Sequence, residues 1–160
     1  MENQNKNPKQ VIIVRTDLKN SKGEKIRTGK IAAQVAHASL GVIMDMMSVG
    51  PEELVLAIPL TAGYRVETTD KIERKFSYER GSMLEAWLDG RFTKICLRCD
   101  SEEELLDLFK EVGIHTDLPC KLITDAGLTE FGGVPTNTCI AIGPGDPDEI
   151  NKITGHLKLL

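Results

Sequence analysis

The sequence predicts an α/β fold: a single domain built on a central, mostly four-stranded mixed sheet with helices packed on both faces. Three observations carry that expectation. Short β-branched or alternating runs recur along the chain, each flanked by turn residues, as strands require. Between them lie segments with helical spacing and recognisable caps. The two kinds alternate rather than segregate, which is the pattern of a layered α/β domain. The length of 160 residues suits one such domain at the usual ~100–200 residues.

Residues 1–8 are polar and aperiodic and read as a flexible tail before a domain spanning 9–160. Val11-Ile12-Ile13-Val14 is a continuous β-branched run ending in polar Arg15-Thr16-Asp17, the mark of a buried strand delivering polar groups to a surface. A Lys/Gly-rich loop over 20–27 leads to the longest helix, starting at Thr28 and rich in Ala, Met and Gln. Gly50-Pro51-Glu52-Glu53 resembles a helix start that Pro59 must soon break. Tyr78–Leu88 has helical spacing through Met83, Leu84 and Trp87, closed by Gly90. Thr93–Cys99 alternates as a second strand. Ser101 with Glu104 forms a capping box for a helix that Gly113 ends. Lys121–Thr124 is a third strand running into Asp125-Ala126-Gly127, and Thr138–Ile142 a fourth, stopped by Gly143-Pro144-Gly145. Asp146 as cap and Pro147 at the first helical position open a last helix ending at Gly155, with a short tail over 156–159.

Composition narrows the function. Hydrophobic residues at 41% and charged residues at 28% are ordinary for a globular chain and exclude collagen, coiled coil and wholesale disorder. The most apolar stretch, Ala32–Met47, contains Gln34, His37, Ser39 and Asp45 and cannot serve as a membrane span. The N-terminus has no basic-then-apolar signal pattern, so the four cysteines are expected as free thiols in a reducing, cytoplasmic setting. The net charge of −4 argues against a non-specific coat for nucleic acid. The distribution qualifies this: residues 1–30 carry eight basic residues against three acids, a balance of +5, leaving −9 to the remainder. An acidic chain can thus show a basic edge to a phosphate ligand.

On a helical wheel Lys30, Gln34, His37 and Gly41 fall within roughly 60°. Their flanks are apolar nearly all the way round, so the helix is expected to be largely buried, its polar stripe either bordering a cleft or bonding to other elements. Asp125 follows an apolar strand directly, where α/β sheets commonly place functional groups; a turn aspartate satisfying backbone donors would look the same. Thr129 and Thr138 lie near strand ends, where threonine also serves β propensity. Cys96 and Cys99 spell C-x-x-C, but three residues apart on a strand they point to opposite faces, so no shared metal is expected. Dinucleotide, Walker, G-x-S-x-G and H-E-x-x-H patterns are absent.

Three segments, VIIVRTDLK with GKIAAQVAHA, DAGLTEF with TCIAIGP, and ITGHLKL, together resemble the archaeal and eukaryotic type of peptidyl-tRNA hydrolase, also called type 2. The resemblance covers about residues 9–47 and 83–160. It implies a cytoplasmic homodimeric enzyme that hydrolyses the ester between a peptide and the 3′ end of tRNA, without metal or organic cofactor. Position by position it places the family's functional lysine on Lys30, its glutamine and histidine on Gln34 and His37, its aspartate on Asp125 and its threonines on Thr129 and Thr138. Two departures stand out. Glu130 replaces the family's usual glutamine in a lengthened turn, Glu130–Pro135, and residues 48–82 read as an insertion.

The residues support a mechanism in which Asp125 orients water or a base, directly or through Thr138, His37 is the alternative base, and Lys30 stabilises the oxyanion or holds the terminal phosphate. Lys30, His37, Asp125 and Thr138 are the expected catalytic set, with Gln34 and Thr129 binding substrate and Lys19, Lys22, Lys25 and Arg27 contacting the tRNA backbone. Two other readings stay open: a non-catalytic binding module using the same cleft for a nucleotide, peptide or protein partner, and an esterase for a small acyl substrate.

Overall fold

The computed structural model describes residues 7–51, 59–60, 63–64 and 72–160. The chain divides into two compact units, Met1–Ile43 with Tyr78–Leu160, and Met44–Ser77. Most of the expected tail, 1–6, and residues 52–58, 61–62 and 65–71 of the expected insertion lie outside the described residues.

In the larger unit the strands are β1 (Lys9–Arg15), β6 (Thr93–Cys99), β7 (Cys120–Asp125), β8 (Thr136–Gly145) and β9 (Lys158–Leu159), and the helices α1 (Thr28–Asp45, which runs on into the smaller unit), α2 (Met83–Leu88), α3 (Glu102–His115) and α4 (Pro147–Thr154). The strands form one mixed sheet in the order β7-β8-β1-β6-β9. Only β1 and β6 run parallel; every other neighbouring pair is antiparallel. The expected four strands are therefore five. Lys158–Leu159, part of the expected tail, form a strand by pairing with Arg98 and Leu97, since two residues carry no periodicity of their own.

The alternation of β1 sorts the core. Val11 and Ile13 face α3 and α4, where Leu105, Leu108, Val112, Ile150 and Ile153 close over Leu97, Cys99, Ile140 and Ile142. On the opposite face the side chain of Gln10, the residue before Val11, is fully buried and bonds the Ser39 hydroxyl and carbonyl of α1. Cys96 and Cys99 point apart as their spacing requires, and all four cysteines are free.

Local chemistry explains the helix ends. The Ser101 hydroxyl accepts the Glu104 N–H at 3.1 Å and the Glu104 carboxylate accepts the Asp100 N–H at 2.8 Å. Asp146 caps α4 by accepting the Asp148 N–H at 2.8 Å. Several boundaries differ from expectation. α3 continues past Gly113 to His115, because fully buried Val112 anchors the last turn and its carbonyl takes both the N–H and the hydroxyl of Thr116. α2 begins only at Met83, where Ser82 caps it, rather than at Tyr78. β8 runs through Gly143-Pro144-Gly145 instead of stopping there; a register shift against β1 absorbs the residues as a bulge, and the Gly143 N–H still bonds the Pro119 carbonyl. The largest revision concerns α1, which is not buried all round: its buried residues are Gln34, Ala38 and Val42, while Ala33, Ala36, His37 and Leu40 are exposed. The exposed alanines, Ala32, Ala33 and Ala36, serve helix propensity rather than the core.

In the smaller unit, β2 (Ser48–Pro51) pairs antiparallel with β5 (Ile72–Lys75), and β3 (Pro59–Leu60) with β4 (Gly63–Tyr64). The helix start expected at Gly50-Pro51 is thus a strand; Pro at a strand end donates no ladder bond and needs none there.

Candidate active site

The last residue of β7 and the first turns of α1 meet on one face of the sheet. Side chains alternate along β7, so Lys121, Ile123 and Asp125 share the α1 side, while Cys120 and Leu122 pack into the α3/α4 core. Gly41 allows the helix to lie close: a Cβ there would stand 3.2 Å from the Lys121 side chain and 3.7 Å from that of Ile123. Two and three turns earlier, Gln34 and Lys30 reach Asp125. The Lys30 ammonium donates to Asp125 Oδ2 at 2.5 Å and the Gln34 amide to the same oxygen at 2.7 Å. Lys30 and Asp125 are each only 14% exposed at the side chain.

Thr138 completes the arrangement through a backbone irregularity. Ile123 pairs with Cys139 and Thr124 with Asn137, leaving Thr138 as the extra residue of a β-bulge. The bulge re-aims it, so Thr138 and Cys139, adjacent in sequence, both turn toward α1. The Thr138 hydroxyl donates to Gln34 Oε1 at 2.8 Å and the Cys139 thiol to the Gln34 carbonyl. Because that hydroxyl occupies the amide oxygen, the amide nitrogen must face Asp125. Thr138 is fully buried and is linked to Asp125 through Gln34.

Asp125 plays two roles at once. Its Oδ1 accepts the Gly127 N–H at 2.8 Å, the turn role that its sequence context allowed, while Oδ2 takes Lys30 and Gln34. Gly127 adopts φ +80°, and a Cβ there would collide with the backbone of Val134, so only glycine fits. Burial pushes the Asp125 carboxyl up, but the bonds from Lys30, Gly127 and Gln34 outweigh it and hold the group below the ordinary carboxylate range. The ammonium of Lys30 also donates to the exposed Thr129 hydroxyl at 3.2 Å. Two of its three protons are thereby placed, leaving one for a ligand.

The other expected residues fall outside this network. His37 is exposed rather than sunk in the core, and none of the centre's hydrogen bonds reaches it. Lys19, Lys22 and Lys25 are exposed on the loop over 16–27, with Lys19 and Lys25 bridged across it. Leu18, Ile26 and Phe131 form a small cluster that docks this loop against the segment after Thr129. A cleft of about 360 Å³ joins the two, with Lys22, Lys25, Arg27 and Thr129 among its lining residues. Lys19 lies outside it.

In the sequence Glu130 is only a departure from the family's glutamine; in the fold it ties the start of α1 to the segment after Thr129. Its side chain is 5% exposed, its Oε1 accepts Arg27 Nε at 2.8 Å, and its Oε2 accepts the Arg27 N–H at 3.3 Å, just before the first residue of α1. The Arg27 guanidinium holds the carboxyl below its ordinary range, and a carboxylate at a helix start is favourable. The partners are 103 residues apart, so no local pattern announces the pair. Among the described residues no group of three or more His, Cys, Asp or Glu could hold a metal ion, and no helix is long and apolar enough to cross a membrane.

Comparison with known proteins bears on this arrangement. The family described as "Peptidyl-tRNA hydrolase PTH2" matches residues 8–160. Proteins named peptidyl-tRNA hydrolase from Methanopyrus kandleri, Staphylothermus marinus and Thermococcus sibiricus are 38%, 37% and 36% identical to this chain. Each alignment covers 95% of the chain and 97%, 94% and 97% of the respective relative.

Proposed function

The chain belongs to the peptidyl-tRNA hydrolase PTH2 family, and on that premise we propose that Lys30, Gln34 and Asp125 form the centre at which it hydrolyses the ester between a peptide and the 3′ end of tRNA. The observation that carries the assignment is Asp125 Oδ2 accepting both the Lys30 ammonium and the Gln34 amide in partly buried hydrogen bonds. A carboxylate held below its ordinary range is a poor proton acceptor at neutral pH. Asp125 therefore orients the attacking water through the remaining capacity of Oδ1 and keeps Lys30 in place; as the bond from the acyl carbon to the 3′ oxygen breaks, that oxygen takes the proton the water gives up, leaving a 3′ hydroxyl and a peptide carboxylic acid. The third proton of Lys30 meets the oxyanion, where a fixed donor is worth most. Thr129, exposed beside Lys30, uses its own hydroxyl proton on the substrate. Thr138 fixes the Gln34 amide.

Lys22 and Lys25, with the exposed arm of Arg27, take the tRNA backbone along the cleft that leads to Thr129. Lys19 contributes to the same field from outside the cleft. His37 has no place in the chemical step. Glu130, which departs from the family's usual glutamine, is committed to Arg27. The family resemblance supports a homodimer, which sedimentation of the purified protein tests, and a cytoplasmic location.

The test is deacylation of an N-acetyl-aminoacyl-tRNA beside the matching free aminoacyl-tRNA, with a chelator present. Rapid release from the blocked substrate alone is expected, with Asp125→Asn lowering kcat by about 10²–10⁴. Lys30→Ala should lower kcat by about 10²–10³ if it serves the oxyanion. If it only held phosphate, KM and the salt slope would change and kcat would stay. Charge reversal at Lys22 and Lys25 should raise KM for tRNA esters and leave kcat alone; unchanged salt dependence would remove the loop from the interface.

A further inference from the structure

β7 is the outermost strand of the sheet, and it ends at Asp125. None of its residues is buried, whereas its neighbour β8 is buried from Thr138 to Gly145. Hydrogen bonds fix which way its backbone points. The Pro119 carbonyl accepts the Gly143 N–H of β8 at 2.8 Å, and the Ile123 carbonyl lies 3.3 Å from the Thr138 hydroxyl of β8. On an antiparallel strand the N–H and C=O of one residue share a side, and the side alternates. Residues 119, 121 and 123 therefore face β8, and the backbone groups of Cys120, Leu122 and Thr124 face away from the sheet. Among the described residues no strand pairs with that outer edge.

We propose that the outer edge of β7 is the peptide subsite: it takes the last four or five residues of the substrate's peptide as a sixth strand and leads their ester to Lys30 and Asp125. This rests on the active-site reading above. The direction follows from the chemistry. The scissile carbonyl is the C-terminal end of the peptide and must lie beside Asp125, so the peptide runs parallel to β7 with its N-terminal part toward Cys120. The outward backbone groups, from Cys120 to Thr124, span roughly 13 Å, which sets the number of peptide residues held. Thr124, next to Asp125, meets the first peptide bond, a group that a free aminoacyl ester lacks.

The substrate class supplies a second reason. Peptides left on tRNA have any sequence, so their recognition must use what every peptide shares. Edge addition does so: main-chain bonds provide affinity, and side chains project alternately to the two faces without being selected. On the α1 side the added strand runs past the flank that carries His37 between Gln34 and Gly41, which gives the exposed imidazole a place beside the peptide rather than in the chemistry.

The experiment uses the wild-type protein and tRNAs chemically acylated with N-acetylated alanine peptides of one to eight residues. A six-residue set with one N-methylated amide at each position in turn completes it. kcat/KM should rise with length through KM, level off after about five residues, and fall about 2- to 13-fold for N-methylation at alternate positions, as loss of one hydrogen bond predicts. The intervening positions should tolerate the methyl group. Rates independent of length, or equal losses at every position, would overturn the strand while leaving hydrolysis of the N-acetyl-alanyl-tRNA intact. Failure on that shortest substrate would sink the active-site reading and this inference with it.

Discussion

Replacing Thr138 by Val tests the organisation of the centre without touching any group that meets substrate. The two side chains have nearly the same shape, and Thr138 is fully buried, so the change deletes one hydroxyl and little else. That hydroxyl is the 2.8 Å donor to Gln34 Oε1, and Gln34 is 2% exposed, so no water readily replaces it. Leaving a buried acceptor unpaired costs about 1–3 kcal/mol. For a chain of this length each kcal/mol moves Tm by about 2–4 °C, so Tm should fall by about 2–12 °C. Activity should fall as well, because the Gln34 amide is no longer forced to turn its nitrogen to Asp125. A hydrogen bond to a charged group is worth about 1.5–3 kcal/mol, which bounds the loss in kcat at about 10- to 150-fold. Lys30 keeps its own bond to Asp125, so the lower end is expected. The decisive comparison adds Gln34→Met. With both partners apolar the stability penalty should shrink relative to Thr138→Val, since paired apolar replacement is close to neutral. Activity should not recover, since the amide donor is gone. Thermal unfolding and deacylation of N-acetyl-aminoacyl-tRNA read both quantities. A Thr138→Val protein with unchanged Tm and kcat would refute the relay, and so would a double variant no more stable than the single one.

Further outcomes follow from the same geometry. The Asp125 carboxyl titrates lower in the folded protein than in the unfolded chain. Its contribution to stability is therefore complete above the ordinary value of about 3.9 and is lost as pH falls through the folded value. Acid unfolding followed by fluorescence of the buried Trp87 should accordingly shift to higher pH in Lys30→Gln; an unmoved midpoint would mean that the pair does not hold the carboxylate down. Gly127→Ala should destabilise by at least about 1–3 kcal/mol through its left-handed backbone alone, with the collision against Val134 added, and denaturant titration measures it. Burial pushes the thiols of Cys99 and Cys120 up to about 12 and that of Cys139 up to about 11. Alkylation at pH 8 should thus be slow at these three until the protein is unfolded, and mass spectrometry of the labelled chain would expose a contrary result.

Local signals account for what could be read along the chain. The Ser101 and Asp146 caps, the alternation of Thr93–Cys99 and the β-branched run of β1 each act over a few residues, so their elements are legible one at a time. The stripe of Lys30 and Gln34 is legible too, because 3.6 residues per turn puts the pair on one helix face whatever the helix packs against. Asp125 and its turn are encoded within three residues, ending in a glycine that no other residue can replace. What the stripe faces is a different matter. His37 lies within about 60° of Gln34 on the helical wheel, yet one is exposed and the other buried, because Asp125 and Thr138 meet the side chain of Gln34. The reorientation of Thr138 comes from a register mismatch between two strands, the bond of Arg27 to Glu130 spans 103 residues, and β9 exists only where β6 offers it a partner. Each of these depends on groups brought together from distant parts of the chain, and periodicity within one segment carries no information about its neighbour in space.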